Sequence, residues 1–370
     1  MLDRIVIPAA DTWHTHLREN ELMYFMIDHL IASGFQGRVL AEPNTKEPLL
    51  HGYQADAYKR KIEAILDLHR LTLLDHRRHK WFDVVVTIQI TENTTPQMIY
   101  DAYALGVRVA KVYPRDVTTN STNGVVDYLN IYPALRAAQE CGMIVQFHGE
   151  HPSHDVEGPK KEVAFIMRII TLIVKEFPRL KISLEHISTS FTVQWIRSQN
   201  ANAGDAPRIV GGLAPQYLCL TSDDVEGYTE RSGYKGQTNL ICKPKLKWNE
   251  DRAALQAAAV SGEPWFVFGP DDAPHYDSNK GPGKSNCGVF NTRDSLPALI
   301  EDVFEPRNAL NKFPVFMDVG RLFYGFPLIE KKIAFERKPW RVREKYPVAT
   351  TEEFVTPMFP GRTFAWSVIC

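Results

Sequence analysis

The stretch RIVIPAADTWHTHLRE, residues 4–19, places strand-forming residues shortly before a His-x-His pair. Residues 4–9 are mostly apolar, which predicts a short strand. His14 and His16 follow, with Arg18 two residues further on. Residues two apart in an extended segment point to the same face, so two imidazoles and a guanidinium would share one face. Burying these groups is unfavourable unless they have partners, and the rest of the chain has to supply those partners.

The bulk composition narrows the classes of function. The chain has 370 residues, of which 44% are hydrophobic and 24% charged, as is typical of globular proteins. A formal net charge of −1 gives no reason to expect nucleic acid or a membrane surface as a partner. No apolar run reaches the roughly 18 residues of a membrane span, and the first residues do not resemble a signal peptide. Five scattered cysteines then predict reduced thiols in the cytoplasm, so a metal site would use histidine and carboxylate ligands.

Strand-like apolar runs alternate with helical segments along the chain. The predicted strands are 4–9, 38–41, 83–90, 107–113, 143–148, 181–187, 208–213 and 265–269. The predicted helical segments are 20–33, 54–69, 95–105, 129–140, 160–176, 250–260 and 294–306. This alternation predicts right-handed βαβ units and a parallel sheet. Such a series of units fits an α/β fold of the closed (β/α)8 TIM barrel type.

A doubly wound open sheet is the alternative fold, but no Gly-x-Gly-x-x-Gly follows the first strand. No repeat, low-complexity run or linker divides the chain. We therefore predict one barrel domain over residues 1–370. Residues 330–370 are rich in proline, aromatic and charged residues, and we expect them to wrap around the barrel as a C-terminal extension.

Unusual polar residues follow the ends of the predicted strands. Active sites of (β/α)8 barrels form at the carboxyl ends of the strands. The strand ends carry His14, His16, Glu42, Asn44, Lys111, His148, His186, Asp271 and His275. A single histidine at such a position is more often a hydrogen-bonded core residue than a ligand. Taken together, however, the positions predict that four histidines, one lysine and one aspartate converge on one mouth of the barrel.

This pattern resembles the amidohydrolase superfamily, with His-x-His, Lys, His, His and Asp on strands 1, 4, 5, 6 and 8. Within that superfamily, the chain resembles dihydroorotases of the short monofunctional type. The matching stretches are WHTHLRE (13–19), EPN (42–44), KVYPRDVTTNSTNGV (111–125), HGE (148–150), LEHIST (184–189), CKP (242–244), GPDDAPH (269–275), CGVFN (287–291) and FAWSV (364–368). They follow the order of the family along nearly the whole chain.

The resemblance implies two Zn²⁺ ions per chain. The first ion would be held by His14, His16 and Asp271, and the second by His148 and His186. Lys111 would be carboxylated and would bridge both ions together with a hydroxide. A carbamate offers two anionic oxygens where an ammonium would repel cations, and two metal ions lower the pKa of a bound water. Asp271 would also act in catalysis, by taking a proton and delivering it to the leaving nitrogen.

The implied reaction is the reversible hydrolysis of the cyclic amide of (S)-dihydroorotate to N-carbamoyl-L-aspartate, in de novo pyrimidine biosynthesis. The family's substrate-binding positions fall on Arg18, Asn44, Thr118, Thr119, Lys243, His275 and Cys287. A guanidinium offers a planar fork that suits a carboxylate, and the two threonines lie in a segment typical of a mobile lid. The family also implies a homodimer.

The chain departs from the family pattern at PNTKEP (43–48), where Pro-Asn-x-x-Pro-Pro is usual, and at three further positions. Glu42 stands where methionine is usual, and Pro270 and Asp272 stand where small residues and serine are usual. Strand parity puts Glu42 on the inward face, where a carboxylate must be paired or protonated. It could form a salt bridge inside the barrel, bind a cation or change the preference for an anionic substrate.

Two other functions stay open at this point. One is a different cyclic-amide hydrolase of the hydantoinase or dihydropyrimidinase type. The other is a non-catalytic dihydroorotase-like scaffold. The set of Arg18, Asn44 and His275 and the lid favour a dihydroorotase over the first, and the complete set of ligand positions argues against the second.

Overall fold

The structure, a computed structural model, describes residues 3–72, 81–202, 207–226, 237–281, 283–284 and 286–369. A strand at the start of the chain, β1 (Arg4–Pro8), precedes a sheet of eight parallel strands that follow one another in chain order. These strands are β2 (Thr12–Thr15), β3 (Arg38–Ala41), β4 (Asp83–Ile90), β5 (Val109–Val112), β6 (Ile144–His148), β7 (Ile182–Glu185), β8 (Ile209–Leu213) and β9 (Phe266–Phe268). Nearly all their residues are buried, as expected for parallel strands that are covered on both faces.

The sheet closes into a barrel between its first and last strands. The backbone N–H of His16 donates to the carbonyl of Asp272 at 2.8 Å, and that of Asp271 donates to the carbonyl of His14 at 3.1 Å. These two bonds join the end of β2 to the residues that follow β9. The predicted (β/α)8 TIM barrel is therefore confirmed.

The prediction that residues 4–9 form the first barrel strand is wrong. β1 pairs antiparallel with β10 (Lys332–Arg341) in a separate three-stranded sheet, and the first barrel strand is β2. The physical reason lies in the burial pattern. Residues of β1 alternate between exposed and buried, which suits a strand with one covered face, whereas all four residues of β2 are buried.

The C-terminal segment supplies the other strands of that small sheet. β10 also pairs with β13 (Thr363–Ile369), so β10 lies between the first and the last described strands of the chain in this sheet. Between β10 and β13 in the chain, two short strands, β11 (Tyr346–Pro347) and β12 (Phe354–Val355), pair with each other. The prediction of one domain with 330–370 as a wrapping extension stays a prediction.

Helices alternate with the barrel strands along the described residues. They are α1 (Asn20–Ala32), α2 (Gly52–Thr72), α3 (Pro96–Ala104), α4 (Tyr132–Cys141), α5 (Lys161–Phe165), α6 (Thr171–Glu176), α7 (Ser190–Asn200), α8 (Pro215–Cys219), α9 (Ser222–Glu226), α10 (Asn249–Ala259), α11 (Ser295–Ala298) and α12 (Phe313–Tyr324). A π-helical turn, Ile166–Ile170, joins α5 to α6 in the predicted 160–176 helix. Among the described helices, none has both the length and the apolar character that a bilayer crossing requires.

Helix α12 closes the amino-terminal end of the barrel. The ring of Trp13 stacks on that of Tyr324 at 4.3 Å between centroids. Gln146 in the barrel interior donates from Nε2 to the Tyr324 hydroxyl at 2.8 Å. At Gly320 a Cβ atom would lie 2.1 Å from Trp13 Nε1, so only glycine allows this approach. Because these side chains fill the amino-terminal end of the barrel, a functional site has to lie at the opposite, carboxyl-terminal end.

Candidate active site

The ends of β2 and β9 bring His14, His16 and Asp271 together. The two Nε2 atoms lie 3.3 Å apart, and Asp271 Oδ1 lies 3.4 Å from each of them. All three side chains are buried. Their ligand atoms are close enough to hold a metal ion, and two imidazoles with a carboxylate are a common ligand set for zinc.

His148 and His186 form a second pair beside this group. Their rings lie 4.5 Å apart in an edge-to-face arrangement, and the ring of His186 lies 5.2 Å from that of His14. His186 Nδ1 is buried and has no hydrogen-bond partner. Lys111 is fully buried, with Nζ 3.5 Å from His14 Nδ1. The structure thus brings all six predicted metal ligands to one place.

The protonation states of the buried histidines and of Asp271 favour the binding of a cation. Burial lowers the pKa of His14 to about 3, and it also lowers the pKa values of the other three histidines. Neutral imidazoles keep a ring lone pair available for a metal ion. Burial raises the pKa of Asp271 well above its usual range, so a nearby cation would stabilise its charged form. The residues therefore fit a metal centre, in keeping with the unpartnered nitrogen of His186.

Further polar residues orient these histidines. Glu185 Oε2 lies 2.7 Å from His14 Nδ1, Asn44 Oδ1 lies 2.8 Å from His16 Nδ1, and Glu150 Oε2 lies 2.8 Å from His148 Nε2. Such contacts fix the orientation and tautomer of a ligating imidazole. Sequence reasoning did not predict Glu185 or Glu150, although each lies within two residues of a predicted histidine in a matched stretch.

The backbone is strained at three site residues. Arg18, His186 and Asp271 have φ values of 61°, 39° and 48°, in the left-handed region that non-glycine residues seldom adopt. Each such residue costs about 1–3 kcal/mol and persists only where the surroundings hold it.

Glu42 forms an internal ion pair rather than part of the cavity wall. Its Oε2 lies 3.5 Å from Lys111 Nζ and accepts a hydrogen bond from the Tyr113 hydroxyl at 2.8 Å. Its Oε1 lies 3.7 Å from His14 Nδ1 and has no hydrogen-bond partner. Of the readings open for this residue, the geometry favours the salt bridge inside the barrel.

Pro270 and Asp272, the other departures, also lie outside the cavity wall. Asp272 Oδ1 accepts from the backbone N–H of Asn291 at 3.2 Å, and the Asn291 side chain donates to the Pro270 carbonyl at 2.7 Å. Burial raises the pKa of Asp272 well above its usual range. These residues support the cavity from behind.

A small cavity lies above the histidine cluster. The predicted site residues that line it are His14, His16, Arg18, Asn44, Thr118, Thr119, His148, His186, Lys243, Asp271 and Cys287, and Tyr113, Ala273 and Gly288 line it as well. Lys111 lies beneath it against His14. His275 lies behind Arg18, with its Nε2 2.9 Å from Arg18 Nη2. Every predicted site residue therefore lies in the wall or directly behind it.

The predicted lid lies across the cavity. Thr119 Oγ1 accepts from the backbone N–H of Cys287 at 3.0 Å and donates to its carbonyl at 3.2 Å. The Asn44 side chain donates to the carbonyl of Thr119 at 3.2 Å. The Thr118 N–H donates to Ser121 Oγ at 3.1 Å within the segment. This arrangement would shield a bound molecule from bulk water.

Comparison with known proteins decides the family. No protein-family model matches the chain. A curated dihydroorotase of Marinobacter nauticus is 31% identical over 369 residues, which cover 99% of each chain. The chain belongs to the dihydroorotase family. Members of this family are metal-dependent cyclic amidohydrolases, so the predicted family and enzyme class are confirmed.

Solved structures agree with this family. Dihydroorotase of Saccharomyces cerevisiae in complex with 5-fluoroorotic acid has a TM-score of 0.88 and 27% identity, with 100% of this chain and 99% of that chain covered. The L-hydantoinase of Arthrobacter aurescens has a TM-score of 0.77 at 17% identity, with 98% and 83% covered. At that identity the second likeness shows a shared fold alone.

Proposed function

We propose that the chain hydrolyses the cyclic amide of (S)-dihydroorotate to N-carbamoyl-L-aspartate and catalyses the reverse ring closure, in the synthesis of pyrimidine nucleotides. One observation carries the proposal. Five of the six proposed metal-ligand side chains and the half-buried guanidinium of Arg18 face the same small cavity, and the sixth, Lys111, lies beneath it against His14. The first can serve hydrolysis of an amide, and the second can bind the carboxylate that distinguishes dihydroorotate from neutral rings.

The proposed cofactor is a pair of zinc ions. His14, His16 and Asp271 would hold the first, and His148 and His186 the second, with a carboxylated Lys111 and a hydroxide between them. When bound, the ions would supply an activated water and polarise the ring carbonyl. The neutral imidazoles and the buried aspartate support this assignment.

Arg18 would bind the substrate carboxylate. Burial lowers its pKa to about 10, which leaves the guanidinium charged at neutral pH. Its Nε donates to the carbonyl of Pro274 at 3.0 Å, and His275 holds one terminal nitrogen. The remaining contacts to the substrate would come from Asn44, Thr118, Thr119, Lys243, His275 and Cys287.

Asp271 would move the proton. It would accept the proton released by the attacking water and deliver it to the ring nitrogen as the amide bond breaks. Gln216 Nε2 donates to Asp271 Oδ2 at 3.2 Å and so keeps the carboxyl group in place.

The two alternative functions, a hydantoinase-like enzyme and a non-catalytic scaffold, make different demands on the site. A hydantoinase-like enzyme would act on rings without a carboxylate, which would offer Arg18 no anionic group to bind. A scaffold would not need the complete ligand set. We further propose a homodimer located in the cytoplasm.

One assay tests the proposal. The purified protein is given dihydroorotate, hydantoin and dihydrouracil in parallel, before and after dialysis against a chelator and again after zinc is restored. We expect dihydroorotate to be hydrolysed far faster than the neutral rings, with activity lost on chelation and regained with zinc. Faster hydrolysis of hydantoin would favour the hydantoinase alternative, and no turnover of any ring would favour the scaffold.

Arg18→Met is expected to separate substrate binding from bond cleavage. Loss of a charge-assisted contact costs about 1.5–3 kcal/mol, or roughly ten- to over a hundredfold in kcat/KM for dihydroorotate. Placement of the ring depends on the same contact, so kcat should fall as well. Dihydrouracil serves as the matched control because it has no carboxylate. Metal content should not change, and equal losses on both rings would contradict a role in binding the carboxylate.

A further inference from the structure

A buried carboxylate outside the cavity, that of Glu162, accepts an unusual number of hydrogen bonds. Glu162 is 2% exposed. Its oxygens accept from the backbone N–H groups of Ser188 and Thr189 at 2.9 and 3.0 Å. They also accept from the hydroxyls of Thr189 and Thr192 at 2.7 and 2.6 Å, and from that of Ser188. Ser188 and Thr189 lie in the turn between β7 and α7, and Thr192 lies in the first turn of α7.

The same turn follows His186, one of the two histidines proposed for the second ion. His186 has a φ of 39°, in the left-handed region that a non-glycine residue seldom adopts without support from its surroundings. Its Nδ1 atom has no hydrogen-bond partner, so no side-chain contact through that atom fixes the ring. The next residue, Ile187, donates to the carbonyl of Gly212 at 3.0 Å. After that bond, the backbone is held by Glu162.

Glu162 also lies next to the loop that follows His148. Glu162 is the second residue of α5, and the carbonyl of its neighbour Lys161 accepts from the backbone N–H of His151 at 3.0 Å. His151 directly follows Glu150, which contacts the ring of His148. The start of α5 therefore contacts the loops after both histidines of the second pair, although Glu162 does not line the cavity.

We propose that Glu162 is a positioning residue for the second metal site. It holds the turn after His186 at a fixed place relative to the loop after His148, and so keeps the two rings facing each other. The inference rests on the proposed two-metal centre. On this proposal, loss of Glu162 weakens the binding of the second ion and leaves the binding of the first ion unchanged.

Two variants at this position alter the contact in different ways. A carboxylate carries no proton, so both its oxygens can accept from the converging N–H and O–H groups. Glu162→Gln keeps the length of the side chain but turns an N–H₂ group toward donors. Glu162→Asp keeps the charge but shortens the side chain by one methylene, so the oxygens no longer reach the turn. If either variant folds poorly, Thr192→Val removes one donor and leaves the carboxylate in place.

The test is a stepwise zinc titration of the metal-free protein, followed by calorimetry, with circular dichroism as a check of folding. Loss of a group that orients a metal ligand lowers metal affinity by about 10- to 100-fold. We expect that loss for the second ion in Glu162→Gln and Glu162→Asp, a smaller loss in Thr192→Val, and wild-type affinity for the first ion. Excess zinc should restore much of kcat, with little change in KM.

Asp251→Asn provides the matched control. Asp251 Oδ1 accepts from the backbone N–H of Ser190 at 2.7 Å, at the start of the same helix α7, but Asp251 belongs to α10. This variant should bind both ions as the wild type does. Equal weakening in Asp251→Asn and Glu162→Gln would make Glu162 a general anchor of α7 and overturn the inference, as would an unchanged second ion in Glu162→Gln. A wild-type chain that binds fewer than two ions would instead overturn the two-metal proposal itself.

Discussion

Lys111→Ala is expected to lower the activity by orders of magnitude, because the side chain lies against His14 in the histidine cluster. Its Nζ is 3.5 Å from His14 Nδ1, and the side chain has no exposure to solvent. Without Lys111, the proposed bridge between the two ions is lost. Short carboxylic acids added to the buffer can supply the missing oxygens, and we expect them to restore a small part of the activity.

The same variant is expected to destabilise the metal-free protein for a separate reason. Lys111 Nζ lies 3.5 Å from the buried Glu42 Oε2, and removal of one partner of a buried ion pair costs about 3–5 kcal/mol of unfolding free energy. The double variant Glu42→Met/Lys111→Ala removes both charges. We expect it to recover most of the stability in urea unfolding, but none of the activity.

These two measurements distinguish the roles of Lys111. Wild-type activity in Lys111→Ala would contradict the bridge. A double variant that is as unstable as the single one would contradict the ion pair with Glu42. Glu42→Met alone serves as the control for the loss of the carboxylate, and it should retain zinc because Glu42 is not among the proposed ligands.

The sequence predicted the barrel, apart from its first strand, and the residues around its mouth. Strands that are buried on both faces read as apolar runs, and their alternation with helices restricts the topology. Once the topology is a barrel, the strand ends must meet. His14, Lys111 and Asp271 could therefore be assigned to one site although they are far apart in the chain.

The partner of β1 and the residues that orient the metal ligands could not be predicted from the sequence and became visible only in the structure. An apolar run indicates a strand but not its partner, and β1 pairs with β10 more than 300 residues later, which local pattern does not reveal. Glu162 and Glu185 look like ordinary acidic residues in the sequence. Their roles depend on distances across neighbouring strands and loops, and on a left-handed backbone at His186 that simple alternation does not include.

Asp271→Asn is the second substitution for which a large loss is expected. The amide keeps the shape of the side chain but cannot accept a proton, and it is a weaker ligand for a cation. Loss of a general acid–base group lowers kcat by about 10²- to 10⁴-fold. Weaker binding of the first ion adds to this loss, so kcat should be measured at saturating zinc together with the zinc content of each sample.

Asp272→Asn provides a control one residue away. Asp272 is also buried, and burial also raises its pKa, but it does not line the cavity. Its Oδ1 accepts from the backbone N–H of Asn291, a contact that an amide oxygen can keep. We expect little change in kcat or zinc content for Asp272→Asn. Similar losses in both variants would mean that the loop after β9 needs negative charge in general. A loss of kcat that is confined to Asp271→Asn and persists at full zinc content would place proton transfer at that carboxyl group, which faces the cavity beside His14 and His16.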